Sequence, residues 1–334
     1  MVYRLPDLQE VWCRCVLQSF HLLLSEHCPK KSNSLNPIPP SPAPEPGDDT
    51  SVVNAADFET FADALAAVDD GGKIVLSEDI AEAITIDKPV TIAGNGVTLH
   101  GVTVANAAVT IDGVILTANG ESNKDTAAHA ITVTGAEDFT LVNATVEGTC
   151  RTAANLATSG KVVIEGCTFK SDAQSIYNMI EFSISNDPDI TSVIMENNTF
   201  EGETKNNLIS FYNLADGAEI KLSNCQMTGV STNSNILRVS NPKNASAVFN
   251  VENCTYKYSS TTATDYTAFA LFQDYAASGD KQDFSKIQLN FTKLYRGSKK
   301  ITSNGTGLDR VYYIYDDQDG ILADGINDPI VAFN

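Results

Sequence analysis

The chain has 334 residues, room for two ordinary domains or one long repeat array. Hydrophobic residues make up 43%, which excludes global disorder, and only 19% are charged. The formal net charge is −20, and the acidic excess lies mostly beyond residue 50; such a surface repels phosphate backbones and argues against nucleic-acid binding.

Residues 11–24 (VWCRCVLQSFHLLL) form an apolar run interrupted by Arg14, Gln18 and His21. It is too short for a transmembrane helix, which needs about 20 apolar residues. Two readings of the leader, residues 1–28, stand side by side. One is an export signal with Cys28 at its end as a lipid anchor, giving membrane attachment, although Ser25, Glu26 and His27 do not form the usual small-residue lipobox. The other is an amphipathic docking helix with Leu5, Leu8, Trp12, Cys15, Ser19 and Leu22 on one stripe, suited to a partner protein or particle. Residues 29–50 form a tether: six prolines fall within 37–46 (PIPPSPAPEP), and that density holds the chain in extended polyproline II.

From residue 51 to 334 the expectation is one folded unit. Asp57 can cap a helix over 58–68, where Phe58, Phe61, Leu65 and Val68 recur at helical spacing. Short strands follow at 73–76, 83–86, 90–92 and 97–99. Then one block recurs: VTIDGVILTA (109–118), FTLVNATVEG (139–148), VVIEGCTFKS (162–171), VIMENNTFEG (193–202), IKLSNCQMTG (220–229), FNVENCTYKY (249–258) and IQLNFTKLYR (287–296). Its third position is apolar throughout: Ile111, Leu141, Ile164, Met195, Leu222, Val251 and Leu289. A period of this size signals a solenoid. The fold expected is all-β, a single right-handed parallel β-helix of roughly nine or ten coils, on the order of 45 Å long at one strand spacing per coil. The helix caps its first coil, and the run Val311 to Tyr315 closes its far end.

Two positions after the anchor, most blocks carry Gly or Asn, the types that accept a left-handed bend between strands. Asn143, Asn197, Asn224 and Asn253 are thus expected to form a structural ladder with amides bonded up the column. The next residue (Val114, Ala144, Cys167, Asn198, Cys225, Cys254) points inward, where a cysteine serves as a small hydrophobe. The seven cysteines include no CxxC pair and no metal-ligand pattern with the four histidines, so neither a disulfide framework nor a metal or other cofactor is implied.

The order of cap helix, GGKIVL, ITIDKPVTIAGNG and Asn/Gly-turn coils resembles the pectate-lyase-like right-handed β-helix superfamily over residues 52–310. That resemblance implies the fold; its members include polysaccharide lyases and hydrolases, surface adhesins and phage tailspikes, so it does not choose among functions. A lyase of this group would carry calcium-binding aspartates beside an Arg or Lys base. Arg151, Lys161, Lys170, Lys221 and Arg238 are instead scattered in the sequence with no aspartate column facing them. His100 lacks the aspartate pair of a hydrolase. His129 reads as a surface residue, and Asp316, Asp317 and Asp319 miss the first and twelfth ligands of a calcium loop.

No catalytic residue is therefore assigned. The expectation is a non-enzymatic surface-displayed or secreted protein, bacterial and extracellular, that recognises a glycan or a protein. Tyr177, Tyr212, Tyr258, Tyr266 and Tyr275, near the loop-bearing regions, are the ligand-binding candidates. The alternatives are a phage virion component, a head fibre or tailspike docked by its N-terminus, and a polysaccharide lyase or hydrolase.

Overall fold

The computed structural model describes residues 50–118, 129–148, 152–171, 177–182, 188–274, 282–316, 320–321 and 328–334. The leader with Cys28, the tether through residue 49, and Tyr275 lie outside the described residues.

From Val90 onward each coil runs through three sheets in turn. Val90–Ala93 lies in sheet A, Thr98–His100 in sheet B and Val102–Ala105 in sheet C. The chain then re-enters sheet A as Val109–Asp112, laid parallel on Val90–Ala93 in the register Val90 to Val109 and Ile92 to Ile111. Repetition of this path gives an 11-stranded, a 9-stranded and a 10-stranded sheet, parallel throughout except where short reversed strands end sheets B and C. The protein is an all-β parallel helix.

The core forms because strand side chains alternate and the register never slips between coils at the anchor. Ile74, Ile92, Ile111, Leu141, Ile164, Met195, Leu222, Val251 and Phe291 stack in one column, each no more than 1% exposed. Burial of a side chain of this size contributes about 1.5–3 kcal/mol. The last block departs from the expected alignment by two residues. Phe291, not Leu289, occupies the anchor column, because Leu289 pairs with Phe249. The left-handed corner of that coil accordingly falls on Lys293, at φ 57°.

The corners between sheets A and B behave as the sequence predicts. Asn143, Asn197, Asn224 and Asn253 all have φ between 51° and 56°, alongside Gly113 and Gly166. At Gly113 a β-carbon would stand 2.6 Å from the Gly94 carbonyl oxygen, so the coil beneath leaves no space for asparagine there. The amide ladder is only partly continuous. Asn253 Nδ2 donates to Asn224 Oδ1 at 2.7 Å, whereas Asn143 Nδ2 donates to Asp112 Oδ1 at 2.9 Å, and Gly166 interrupts the column.

The inward corner column does more than fill space. The thiols of Cys167, Cys225 and Cys254 donate to the carbonyls of Leu141, Met195 and Leu222 in the preceding coil, at 3.4–3.6 Å. Asn198 Nδ2 makes the same bond to the Ile164 carbonyl at 2.8 Å. Cysteine and asparagine thus share a column as small donors. Burial pushes the Cys167 thiol up to about 11, which keeps its proton in place.

At the N-terminal end a helix, Phe61–Ala67, buries Phe61, Ala64 and Leu65 against the first coil. Its cap is Thr60, whose Oγ1 accepts from the Asp63 backbone N–H at 3.2 Å; Asp57 instead ends a short 3₁₀ turn three residues earlier. At the other end Tyr312–Asp316 is the sheet C strand of the last coil. Closure falls to the reversed strands Lys299–Ile301 and Gly320–Ile321, which block further parallel growth of sheets B and C, while Ile330–Phe333 adds a last parallel strand to sheet A.

Candidate functional site

The outer face of sheet C changes character along the solenoid. One outward column runs Thr85, Thr103, Thr132, Asn155, Glu181, Ser210, Arg238, Leu271, Tyr313. Threonines line its start; large polar and aromatic groups line its end. The strands Asn178–Phe182, Asn207–Phe211 and Asn235–Val239 are buried at every position, so their outward side chains sit in the floor of a groove.

Asn178 organises that floor. Its Oδ1 accepts from the Asn207 backbone N–H at 3.1 Å and from Ser210 Oγ at 3.0 Å, and its Nδ2 donates to Glu181 Oε1 at 2.5 Å. Tyr212 Oη donates to the same carboxylate oxygen at 3.4 Å, and the Arg238 guanidinium lies 4.4 Å from the Tyr212 ring centroid. Asn235 Nδ2 bridges the carbonyls of Tyr266 and Ala268, while its Oδ1 accepts from Tyr313 Oη at 3.3 Å. Burial raises the Tyr313 phenol to about 12, so it remains a neutral donor. A buried carboxylate and a buried guanidinium persist here because amides, phenols and a ring face surround them.

Above this floor a cavity of about 220 Å³ opens between Lys205, Asn233, Arg238, Tyr266, Tyr313 and Tyr315. Tyr266 is 49% exposed and meets Tyr315 edge-on with centroids 6.1 Å apart. Tyr177 forms the rim, its ring 5.9 Å from Lys205 Nζ. The site can stack an apolar ring face and offer amide, phenol and cationic donors to hydroxyl or anionic oxygens. Among the described residues no group of three or more His, Cys, Asp or Glu side chains could hold a metal ion.

Of the tyrosines selected from sequence, Tyr177, Tyr212 and Tyr266 converge on this groove. Tyr258 does not: at 6% exposure it is packed in the core against Tyr256, with ring centroids 5.5 Å apart. Its position near a long connection suggested exposure, but alternation along Thr255–Tyr258 puts Tyr256 and Tyr258 on the inner side and Lys257 on the outer. Arg238, scattered in sequence among other cations, stands at the centre of the site. Glu181, Asn178, Asn235, Tyr313 and Tyr315 were not anticipated. A second repeat carries the signal for several of them: NMIEF at 178, NLISF at 207, NILRV at 235 and AFALF at 268. Its first position supplies the buried asparagines and its fourth the floor. No known protein-family profile matches the chain, and no curated protein matches its sequence.

Proposed function

We propose that the chain is a non-enzymatic binding protein, a surface-displayed or secreted β-helix of the pectate-lyase-like kind, that recognises a glycan through the outer face of sheet C. The observation that carries this reading is the composition of the groove: exposed Tyr266 and half-buried Tyr315 beside Lys205, Arg238 and four asparagines, on a rigid floor. Sugars present apolar ring faces together with fixed hydroxyls, and a site needs both aromatic platforms and preset donors to hold them. The cavity is smaller than that of a drug-sized ligand, roughly 300–1,000 Å³, and suits one sugar unit of a chain laid along the groove.

A glycan array probed with the full-length chain tests this. Tyr266→Ala should abolish the signal of any glycan bound and leave the thermal midpoint unchanged, since surface substitutions shift stability by less than about 0.5 kcal/mol. Retention of full binding by that variant, or cleavage of the bound glycan, would remove the proposal.

A further inference from the structure

The chain is acidic overall, and one segment strongly reverses the sign. Residues 286–310 hold six of its 22 lysines and arginines (Lys286, Lys293, Arg296, Lys299, Lys300 and Arg310) against a single acid, Asp309. The last coil of sheet B folds this segment back on itself, pairing Tyr295 with Lys300 and Arg296 with Lys299.

Four of these cations have partners. Asp309 binds Arg296 at 2.9 Å and Lys299 at 2.7 Å. Lys286 donates to the Asn244 carbonyl, and Arg310 to that of Asp265. Two remain, Lys300 and Lys293 at the corner of the same coil, and with Lys257 of the adjoining strand they make three exposed ammonium groups with no hydrogen bond or ion pair among the described residues.

Lys293 is the informative member. It occupies the left-handed corner, at φ 57°, where the six preceding coils carry only Gly113, Asn143, Gly166, Asn197, Asn224 and Asn253. A lysine there is less favourable than asparagine for the backbone. Folding alone does not account for the choice, because asparagine meets the corner's requirement in four other coils.

We propose that the sheet B end of the last coil, Lys293 and Lys300 with Lys257 on the strand beside them, is a docking surface for a sulfated or phosphorylated polysaccharide. It lies at the opposite end of the stacked sheets from the first strand, Val52–Asn54. Three ammonium groups on one hairpin and the strand paired to it offer partners to the anionic substituents of such a polymer, in a chain that is otherwise acidic overall. This surface is separate from the groove on sheet C and does not depend on the reading given to that groove.

Binding of full-length protein to short heparin oligosaccharides at low ionic strength, with chemically desulfated oligosaccharides as control, tests the proposal. Wild type should bind only the sulfated form. Each lysine removed should weaken binding about five-fold, as for a basic residue near an anionic surface. Lys293→Asn should do so without lowering the thermal midpoint, which separates the ligand effect from folding; Lys300→Gln and Lys257→Gln complete the set. Tyr266→Ala should leave heparin binding intact. Equal binding by the triple variant, or no binding by wild type, overturns the proposal. So does self-association of wild type, seen by sedimentation and lost in the triple variant, which would assign the corner to a second copy of the chain.

Discussion

Along sheet C the first four coils and the last five share a backbone path and differ on its outer side. Their inner columns match: Ile86, Val104, Val133 and Leu156 continue into Phe182, Phe211, Val239, Phe272 and Ile314. Their outer column diverges, from Thr85, Thr103, Thr132 and Asn155 in the first coils to Glu181, Arg238, Leu271 and Tyr313 in the last. Parallel pairing explains how this is tolerated. The ladder of hydrogen bonds belongs to the backbone, so any outward residue compatible with an extended strand can be substituted without disturbing the coil. In this molecule one side of a strand sets stability and the other is available for recognition.

That contrast can be broken most forcefully from the inside. Phe211 stacks on Phe182 with centroids 4.8 Å apart and planes 1° from parallel, and meets Phe249 edge-on. Phe211→Ala should lower stability by about 3–5 kcal/mol, read from chemical denaturation, because a large buried ring leaves a cavity the stacked coils cannot close. A loss below one third of that would mean the inner column is not the principal source of stability.

The division sharpens at Asn178, which faces outward yet is 1% exposed. Asn178→Ala should cost about 2–3 kcal/mol, since Glu181 loses a donor and Ser210 an acceptor, both in buried surroundings. It should also reduce ligand binding by loosening the Arg238 and Tyr212 pair. An asparagine removed without a stability change would place the floor wholly on the recognition side.

Asp309 gives the smallest effect. Hydrogen bonds from Lys299 and Arg296 hold its carboxyl below the usual carboxylate range. A lowered native pKa means stability that is present above the unfolded value, about 3.9, and is lost as pH falls through the native value. Asp309→Asn should therefore cost under about 1 kcal/mol at neutral pH, as expected for a partly exposed pair, and nothing in strong acid. Thermal melts across pH measure this; a cost that persists in acid would assign the effect to packing.

The inner architecture was legible in sequence because it repeats under strong constraint. Apolar anchors and left-handed corners recur with few permitted residue types, and Asn143, Asn197, Asn224 and Asn253 lie where the repeat places them. The last coil was misaligned because its corner carries Lys293, a residue type with no preference for that conformation. The groove was less legible, since outward positions have no shared chemistry to align. Tyr177, Tyr212 and Tyr266 could be picked from their neighbourhood, but Glu181 and Arg238 reveal themselves only once residues 57 apart in sequence are two coils apart in space. Tyr258 illustrates the converse: alternation within its own strand turns the ring inward, although a long connection follows it.

The turns of each coil differ sharply in how much they vary. Between sheets A and B six consecutive coils use two residues; between sheets B and C the connection is Gly101 alone in one coil, four residues at 231–234 in another and nine at 259–267. Closure entropy rises by only about 0.6 kcal/mol for each doubling of a loop. The scaffold therefore accepts foreign peptide at the B-to-C edge at little thermodynamic expense, beside the rim where Tyr177 and Tyr266 stand. Replacement of 259–263 by unrelated sequences would make this protein a platform for selecting new specificities, with the A-to-B corners left untouched.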